Sequence, residues 1–176
     1  MIKILLSMLG ATILTGCTTI DPAFSDIDLI TEIHPRFSLD NYGSYTWSVN
    51  ASLVYDPEGK WEPPAYDLDE EVKFLVDTEL RNSGLVESSS NPDLLVSFAI
   101  AIQMEELPFN RNPNEEMAVI ENVQQGALVI TLVDPVLGYA VWAGLAVADI
   151  DEAPDNDLSR RRIEYAVSNL LATLSE

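Results

Sequence analysis

The chain has 176 residues, of which 29 are Asp or Glu and 9 are Lys or Arg, so its formal net charge is −20. This excess argues against nucleic acid as a partner, because phosphate binding needs a basic surface, and against electrostatic adhesion to anionic lipid. Hydrophobic residues make up 47% of the chain, which indicates a packed core. The length suits one domain, and a lone Cys excludes both an internal disulfide and a Cys-rich zinc site.

Residues 1–16 have the pattern of a secretory signal peptide. One Lys precedes an apolar run over residues 4–14, which is shorter than the ~20 residues of a transmembrane helix. The run leads into Leu14-Thr15-Gly16-Cys17, which resembles the bacterial lipobox, where a diacylglyceryl group is attached to the Cys thiol and the peptide is cut before it. Because the only Cys of the chain stands there, we predict that Cys17 is lipidated.

The predicted anchor is covalent lipid, with each buried CH₂ contributing ~0.8 kcal/mol to membrane binding. The membrane is thus the first expected partner, through acyl chains on Cys17. Thr18 follows the Cys, whereas Asp at that position is the usual inner-membrane retention signal of Gram-negative lipoproteins. The sorting rules of that class therefore imply the outer membrane, with the chain on its periplasmic side.

The mature chain begins with a weakly periodic segment and then shows clear elements. Residues 17–37 favour a tether, although residues 27–31 are apolar enough for a short edge strand. Alternating polarity over residues 42–49 predicts a strand. A helix follows, with Asp67 as N-cap and Gly84 just past its end. Its apolar stripe consists of Leu68, Val72, Leu75, Val76 and Leu80.

The second half of the chain predicts three strands at most and a terminal helix. Residues 94–102 alternate large and small side chains, and residues 127–147 form a hairpin. A last amphipathic helix covers about residues 158–174, and acidic loops over 104–125 and 149–157 separate these elements. We expect an α+β two-layer sandwich over residues 38–176, in the order β-α-β-β-β-α. A small mixed or antiparallel sheet of about four strands would carry both helices on one face, with Trp142 on the other.

Four segments resemble, in order, the signature of a bacterial lipoprotein family, that of domain of unknown function 4136. They are residues 40–47, 91–96, 126–144 and 163–171. The resemblance spans roughly residues 38–174 and implies a lipid-anchored envelope protein without assigning an activity. Ala143 departs from the family pattern, which often has a basic residue there, and the loop at 104–125 is acidic rather than rich in Tyr and Gly.

Few residues suggest chemistry. His34 is the only imidazole, and its setting predicts a surface or strand-edge side chain rather than a catalytic one. The acidic loop at 149–157 lacks EF-hand spacing. The basic run Arg160-Arg161-Arg162 is either ion-paired with the preceding acids or a docking patch for an acidic partner, and Trp61 is a candidate exposed contact. We predict no catalytic residues, metal or cofactor.

Three functions remain open from the sequence. The first is a non-enzymatic binding or scaffolding domain for another envelope protein. The second is a carrier that binds a small apolar or cationic ligand between sheet and helices, for which a cavity of ~300 Å³ or more is expected. The third is an unrecognised hydrolase, which would need two close carboxylates in a cleft.

Overall fold

The architecture comes from a computed structural model that describes residues 21–56, 63–102, 126–149 and 155–175. The helices and strands are β1 (Asp28–Ile33), β2 (Ser44–Tyr55), α1 (Leu68–Asn82), β3 (Val86–Glu87), β4 (Leu94–Ile102), β5 (Gly126–Asp134), β6 (Tyr139–Ala148) and α2 (Asn156–Ala172). Short 3-10 helices lie at Pro22–Phe24, Leu39–Asn41 and Thr173–Ser175. Within these ranges, no helix is long and apolar enough to cross a bilayer.

The strands form one mixed sheet in the order β1-β6-β5-β4-β2-β3. β2 pairs in parallel with β3 and β4, while the β4–β5, β5–β6 and β6–β1 pairs are antiparallel. The parallel β2–α1–β4 unit has the helical crossover that such strands require. The α+β class is confirmed, but the described residues contain six strands rather than about four. The two additional strands are both at the edges, where β3 is only two residues long and β1 lies in the predicted tether.

The predicted tether over residues 17–37 is corrected from Asp21 onwards. β1 pairs with β6 from Asp28 opposite Val147 to Ile33 opposite Trp142. Before β1, the ring of Phe24 stacks on Tyr165 of α2, with 4.6 Å between ring centroids. The segment belongs to the folded unit, so the domain boundary predicted at residue 38 is placed too late. An edge strand needs only one buried face, so its other face can carry acidic residues. These acids weaken the apolar pattern by which a strand is predicted from sequence.

Local signals set the ends of both helices. The Asp67 side chain accepts a hydrogen bond from the Glu70 N–H at 3.0 Å, which satisfies an otherwise orphaned donor. α1 ends before Gly84, whose φ of 90° is unstrained only for glycine, and the Leu85 N–H returns to the Leu80 carbonyl. α2 starts at Asn156, two residues before its predicted beginning at residue 158, with Asp155 as its N-cap.

The core lies between the helices and one face of the sheet, and Trp142 is part of it. The indole is 0% exposed, and its Nε1–H donates to the Thr173 hydroxyl at 3.3 Å. The prediction that Trp142 faces away from the helices is therefore wrong. Trp142 faces α2 together with the small residues of β6, and Leu145 instead packs with Ala101 and Val129 on the opposite face.

The reversed face of β6 has a steric explanation at Gly144. A Cβ atom built at this glycine would lie 2.5 Å from Trp142 Cη2 and 3.2 Å from Leu170 Cδ2. Real Cβ atoms do not approach heavy atoms at the shorter of these distances. Because Gly144 has no side chain, the indole of Trp142 can lie across it and reach α2.

We predict that Gly144→Ala destabilises the fold by ~1–3 kcal/mol, because the indole or α2 must move to admit the methyl group. The free energy of unfolding from urea titration measures the effect. Gly43→Ala is the matched control, since its Cβ would meet only Asp93 Oδ2 at 3.7 Å, and it should change stability by less than ~0.5 kcal/mol. Equal stability of the two variants would contradict the packing described for Trp142.

Candidate functional site

An apolar cleft of about 170 Å³ lies between the two helices and the sheet. It is at the end of the sheet where β4 and β6 finish and β5 begins. Its walls are formed mainly by aliphatic side chains from three strands, both helices and the segment before β1. They include Ile27, Leu68, Val72, Ile100, Ile102, Leu128, Leu158 and Ile163.

The cleft exists because small residues meet at this end of the sandwich. Gly126 begins β5, while Ala146 and Ala148 end β6, and Ala166 faces them from α2. These residues bring little side-chain volume to a space that the large side chains of β4 and β5 fill elsewhere. The result is a partly open apolar concavity at the end where the chain enters the domain.

An ion pair forms one side of the rim. The Arg162 guanidinium donates from one nitrogen to Asp26 Oδ1 at 2.8 Å and from the other to Oδ2 at 2.5 Å. It also donates to the Ala23 carbonyl at 2.6 Å, and the Asp149 N–H donates to Asp26 at 3.2 Å. The bidentate geometry is the strong form of this interaction. It fixes the segment before β1 against α2.

The same contacts change the acidity of Asp26. The hydrogen bonds from Arg162 lower the pKa of the Asp26 carboxyl to about 2, against an opposing contribution from desolvation. The carboxylate is therefore ionised at any physiological pH. Its charge is committed to Arg162, so the pair is a structural clamp at the rim of the cleft.

A second set of contacts joins α2 to the segment before α1. The Tyr66 hydroxyl and the Ser159 hydroxyl are 3.0 Å apart, and burial raises the pKa of Tyr66. The Arg160 guanidinium lies 4.5 Å from the centroid of the Tyr66 ring and 3.8 Å from a Glu71 oxygen. These contacts hold the N-terminal turns of the two helices side by side along the cleft.

Two other acidic side chains are held by hydrogen bonds of the fold. Asp77 on α1 accepts hydrogen bonds from the Tyr45 hydroxyl at 2.8 Å and from Trp47 Nε1 at 3.0 Å. Asp93 accepts from the Gly43 N–H at 2.9 Å and from Ser44, and these bonds lower its pKa. In the described part of the chain, no three His, Cys, Asp or Glu side chains converge as metal ligands do.

The structure separates the predicted docking arginines. The side chain of Arg162 is 17% exposed and paired with Asp26, so it is corrected from a docking residue to part of the rim. Arg160 is half exposed and contacts Tyr66 and Glu71. Arg161 is exposed. The three side chains therefore do not form one patch, because consecutive helical residues point about 100° apart.

Of the remaining candidate residues, the structure describes His34. Trp61 and the lipobox residues Leu14, Thr15, Gly16 and Cys17 lie outside the described residues. His34 is 3% exposed, so it is not a surface side chain, but it directly follows the edge strand β1, in keeping with the strand-edge alternative. Its N–H bonds to the Val141 carbonyl just past β1, and its Nδ1 accepts from the Arg36 N–H at 3.2 Å.

Neither the cleft nor the clamp has a local signal in the sequence. No local spacing links residue 26 to residue 162, because the contact forms only when β1 joins the sheet beside α2. The basic run at residues 160–162 lies in the second turn of α2, which begins at Asn156. The helix dipole acts within the first turn, so it gives no signal for an acidic partner of Arg162.

We predict that Asp26→Asn lowers stability by ~1–2 kcal/mol near neutral pH, a value discounted for the partial exposure of the pair. The folded-state pKa of about 2 lies below the ordinary value of 3.8, so the carboxylate stabilises the fold above pH ~4. That stabilisation disappears as the pH falls from about 4 to 2. Urea unfolding at several pH values should therefore show the difference from the unmodified chain shrinking over this interval.

Asp28→Asn is the matched control for the clamp, because Asp28 is an exposed acid two residues further along. Its effect on the free energy of unfolding should stay below ~0.5 kcal/mol. A loss of stability in Asp28→Asn as large as in Asp26→Asn would show that general charge, rather than the pairing with Arg162, causes the effect.

Comparison with solved structures shows the fold. A DUF4136 family protein from Bacteroides thetaiotaomicron has a TM-score of 0.56 at 11% identity, over 85% of this chain and 97% of that chain. A PelC dodecamer from Paraburkholderia phytofirmans gives a TM-score of 0.49 at 12% identity, over 85% and 97%. A minor lipoprotein from Acinetobacter baumannii gives 0.31 at 11% identity, over 77% and 91%. At these identities, the comparisons carry no information on activity.

Comparison with curated proteins finds no match. The profile of a family described as domain of unknown function (DUF4136) matches residues 31–174. This range runs from within β1 into the 3-10 helix after α2 and includes all four segments in which the sequence resembles that family. The match covers most of the chain, which therefore belongs to the DUF4136 family.

Proposed function

We propose that this chain is a lipoprotein of the cell envelope, anchored in the outer membrane through acyl chains on Cys17, with its domain facing the periplasm. One observation carries the proposal: the only Cys of the chain ends a lipobox-like tetrad that follows a short apolar run. The described fold is consistent with this topology. The Ala23 carbonyl, six residues after Cys17 in the sequence, is bonded to Arg162, so a fixed point of the domain lies close to the anchor along the chain.

We further propose that the domain acts by binding rather than by catalysis. Catalytic carboxylates need a cleft and a perturbed pKa that suits proton transfer. In the described residues, the acidic group at the cleft rim whose pKa shift is large, Asp26, is held ionised by Arg162. Asp77 and Asp93 are engaged by hydrogen bonds from β2 and its preceding turn.

Binding of a small ligand is favoured by the cleft between sheet and helices. Its volume of about 170 Å³ is smaller than the ~300 Å³ expected for a carrier of a whole small molecule, so the cleft has room for only part of such a ligand. Its aliphatic walls and the guanidinium at its rim favour an apolar ligand over a cationic one. A scaffolding role towards another envelope protein is the other form of the proposal, and for it the exposed Arg160 and Arg161 are the available cations of α2.

We predict that Cys17→Ser abolishes incorporation of radiolabelled palmitate in cells and shifts the protein out of the membrane fraction, because the thiol that accepts the diacylglyceryl group is absent. Thr19→Ser, two residues away, is the control and should still be labelled. Labelling and membrane fractionation of Cys17→Ser at the level of the unmodified chain would contradict the anchor.

We predict that Thr18→Asp keeps the acyl label but moves the protein to the inner membrane, since Asp after the lipidated Cys is the retention signal of Gram-negative lipoproteins. Sucrose-gradient separation of the two membranes measures the change. Thr18→Asn, which has a similar size without the charge, should fractionate as the unmodified chain does. If the unmodified chain already separates with the inner membrane, the proposed location is wrong.

A further inference from the structure

We propose that the apolar cleft binds a segment of one aliphatic chain, with an acyl chain of lipid as its ligand. This deepens the proposed ligand-binding function and depends on the proposed lipid anchor only for the source of the chain. The ligand class follows from four properties of the cleft: the polarity of its walls, its size, its place in the fold and the charge around it.

The polar groups of the cleft are already engaged. The polar side chains among its lining residues are those of Asp149, Ser159 and Arg162. The Ser159 hydroxyl is paired with Tyr66, and the Arg162 guanidinium is paired with Asp26 and the Ala23 carbonyl. The side chain of Asp149 belongs to an exposed residue at the end of β6. The walls between these groups are aliphatic, so a ligand without polar groups along its length matches them.

The size of the cleft fits part of a chain rather than a compact molecule. Apolar cavities of ~150 Å³ stay dry and accept benzene, so about 170 Å³ holds a segment of roughly six carbons. Among the described residues, the cleft is open at the ends of β4 and β6, which allows a longer chain to continue outwards. A flexible alkyl segment can enter such a space where a rigid polycyclic ligand cannot.

The cleft lies where the polypeptide enters the domain. Ile27 is one of its walls, and the Ala23 carbonyl bonds to Arg162 at its rim. Cys17 precedes Ala23 by six residues, which span at most ~22 Å when fully extended. The clamp therefore keeps the cleft within this reach of the anchor, and the acyl chains and the bilayer that holds them are the nearest source of aliphatic ligand.

The net charge of the protein favours binding of the hydrocarbon chain of a lipid rather than of its charged headgroup. With a net charge of −20, the protein repels anionic headgroups and fatty-acid carboxylates, while the rim guanidinium is occupied by Asp26. Burial of each CH₂ contributes ~0.8 kcal/mol, independently of charge. Two sources supply the same chemistry, the acyl chains of Cys17 and those of membrane phospholipid.

The first test measures binding of the methyl ester of cis-parinaric acid, an uncharged linear 18-carbon polyene that fluoresces in apolar surroundings, to the full chain carrying Cys17→Ser. We expect saturable binding. We expect Ala148→Phe to weaken it at least tenfold by filling the cleft, and Ala99→Phe, a half-buried Ala on the other face of the sheet, to leave it unchanged. The signal peptide is common to all three proteins, so the difference between variants reports the cleft. Absent binding, or equal binding by all three, overturns the proposal.

A second measurement covers the case in which Ala148→Phe fails to fold. Hydrogen exchange of the Cys17→Ser chain, with and without the methyl ester of cis-parinaric acid, should show slower exchange at residues 100–102 and 126–128. Exchange at residues 44–47 of β2, away from the cleft, should not change. Slowing at β2 alone, or no slowing at all, overturns the proposal without any cleft variant.

A third experiment identifies the source of the chain. Cells are fed a diazirine fatty acid, which enters both phospholipid and protein acyl groups, and are then irradiated. A cross-link from residue 17 to residues 158–166 in the unmodified chain assigns the cleft to the protein's own acyl chain. A phospholipid cross-link to residues 158–166 in both the unmodified and the Cys17→Ser chains assigns it to the bilayer. No cross-link in either chain overturns occupation of the cleft at the membrane.

Failure of the anchor and failure of the cleft are distinguishable. An unlabelled Cys17 would overturn the lipoprotein proposal while leaving binding of the methyl ester by Cys17→Ser intact. A labelled Cys17 with no binding of the methyl ester would overturn the cleft proposal alone.

Discussion

The packing of Trp142 between β6 and α2 is the constraint on which the rest of the sandwich depends. The inner face of β6 reads Trp142, Gly144, Ala146 and Ala148 from the hairpin towards the end of the strand. The fully buried indole lies across Gly144 and takes up the space between sheet and helix at the hairpin end. At the other end, the same face presents only methyl groups, and the cleft opens there. Trp142 therefore fills the interior at the hairpin end, and the interior is open at the other end, where this face of β6 has no large side chain.

The second organising feature is the use of acidic side chains as fixed acceptors. Asp77 bonds to Tyr45 and Trp47 across the interface between α1 and β2, and this contact, after burial, raises the pKa of Tyr45. Glu79 accepts from the Ser168 hydroxyl at 2.5 Å, which links the two helices. Tyr42 donates to Asp134 at the hairpin, and burial with this contact raises the pKa of Tyr42 to about 12. Some of the acidic residues that make up the net charge thus serve as hydrogen-bond acceptors between the elements of the fold.

The sequence predicted elements where the signal is local and failed where it is not. The cap at Asp67 and the stop at Gly84 predicted α1 because each acts within one helical turn. β3 was missed because two residues carry no periodicity, and β1 was left as an alternative because its partner, β6, lies over a hundred residues away. The face of β6 was reversed because large residues were assumed to face the helices. In fact, the small residues make room for the indole.

The same distinction explains why the candidate site was not predicted. The cleft is a space left by small residues on β5, β6 and α2, and an alanine in a strand gives no sign of what lies opposite it. The clamp between Asp26 and Arg162 has the same character, since neither residue has a distinctive neighbourhood in the sequence. By contrast, the expected lipidation site is recognised from four consecutive residues. The sequence can therefore predict the anchor, but it cannot predict the cleft and the clamp.

The clamp gives the segment before β1 a defined position, and this links the proposed anchor to the interior. A free tether of about twenty residues would let the domain adopt any orientation to the membrane, because a flexible chain of that length spans tens of ångströms. Fixing Ala23 and Asp26 to Arg162 leaves only a few residues between the fold and Cys17. In the proposed topology, the end of the sandwich bearing the cleft then faces the membrane, and the β5–β6 hairpin with its exposed Val136 is at the opposite end of the sheet. The orientation of the domain relative to the membrane would thus follow from Arg162 on α2.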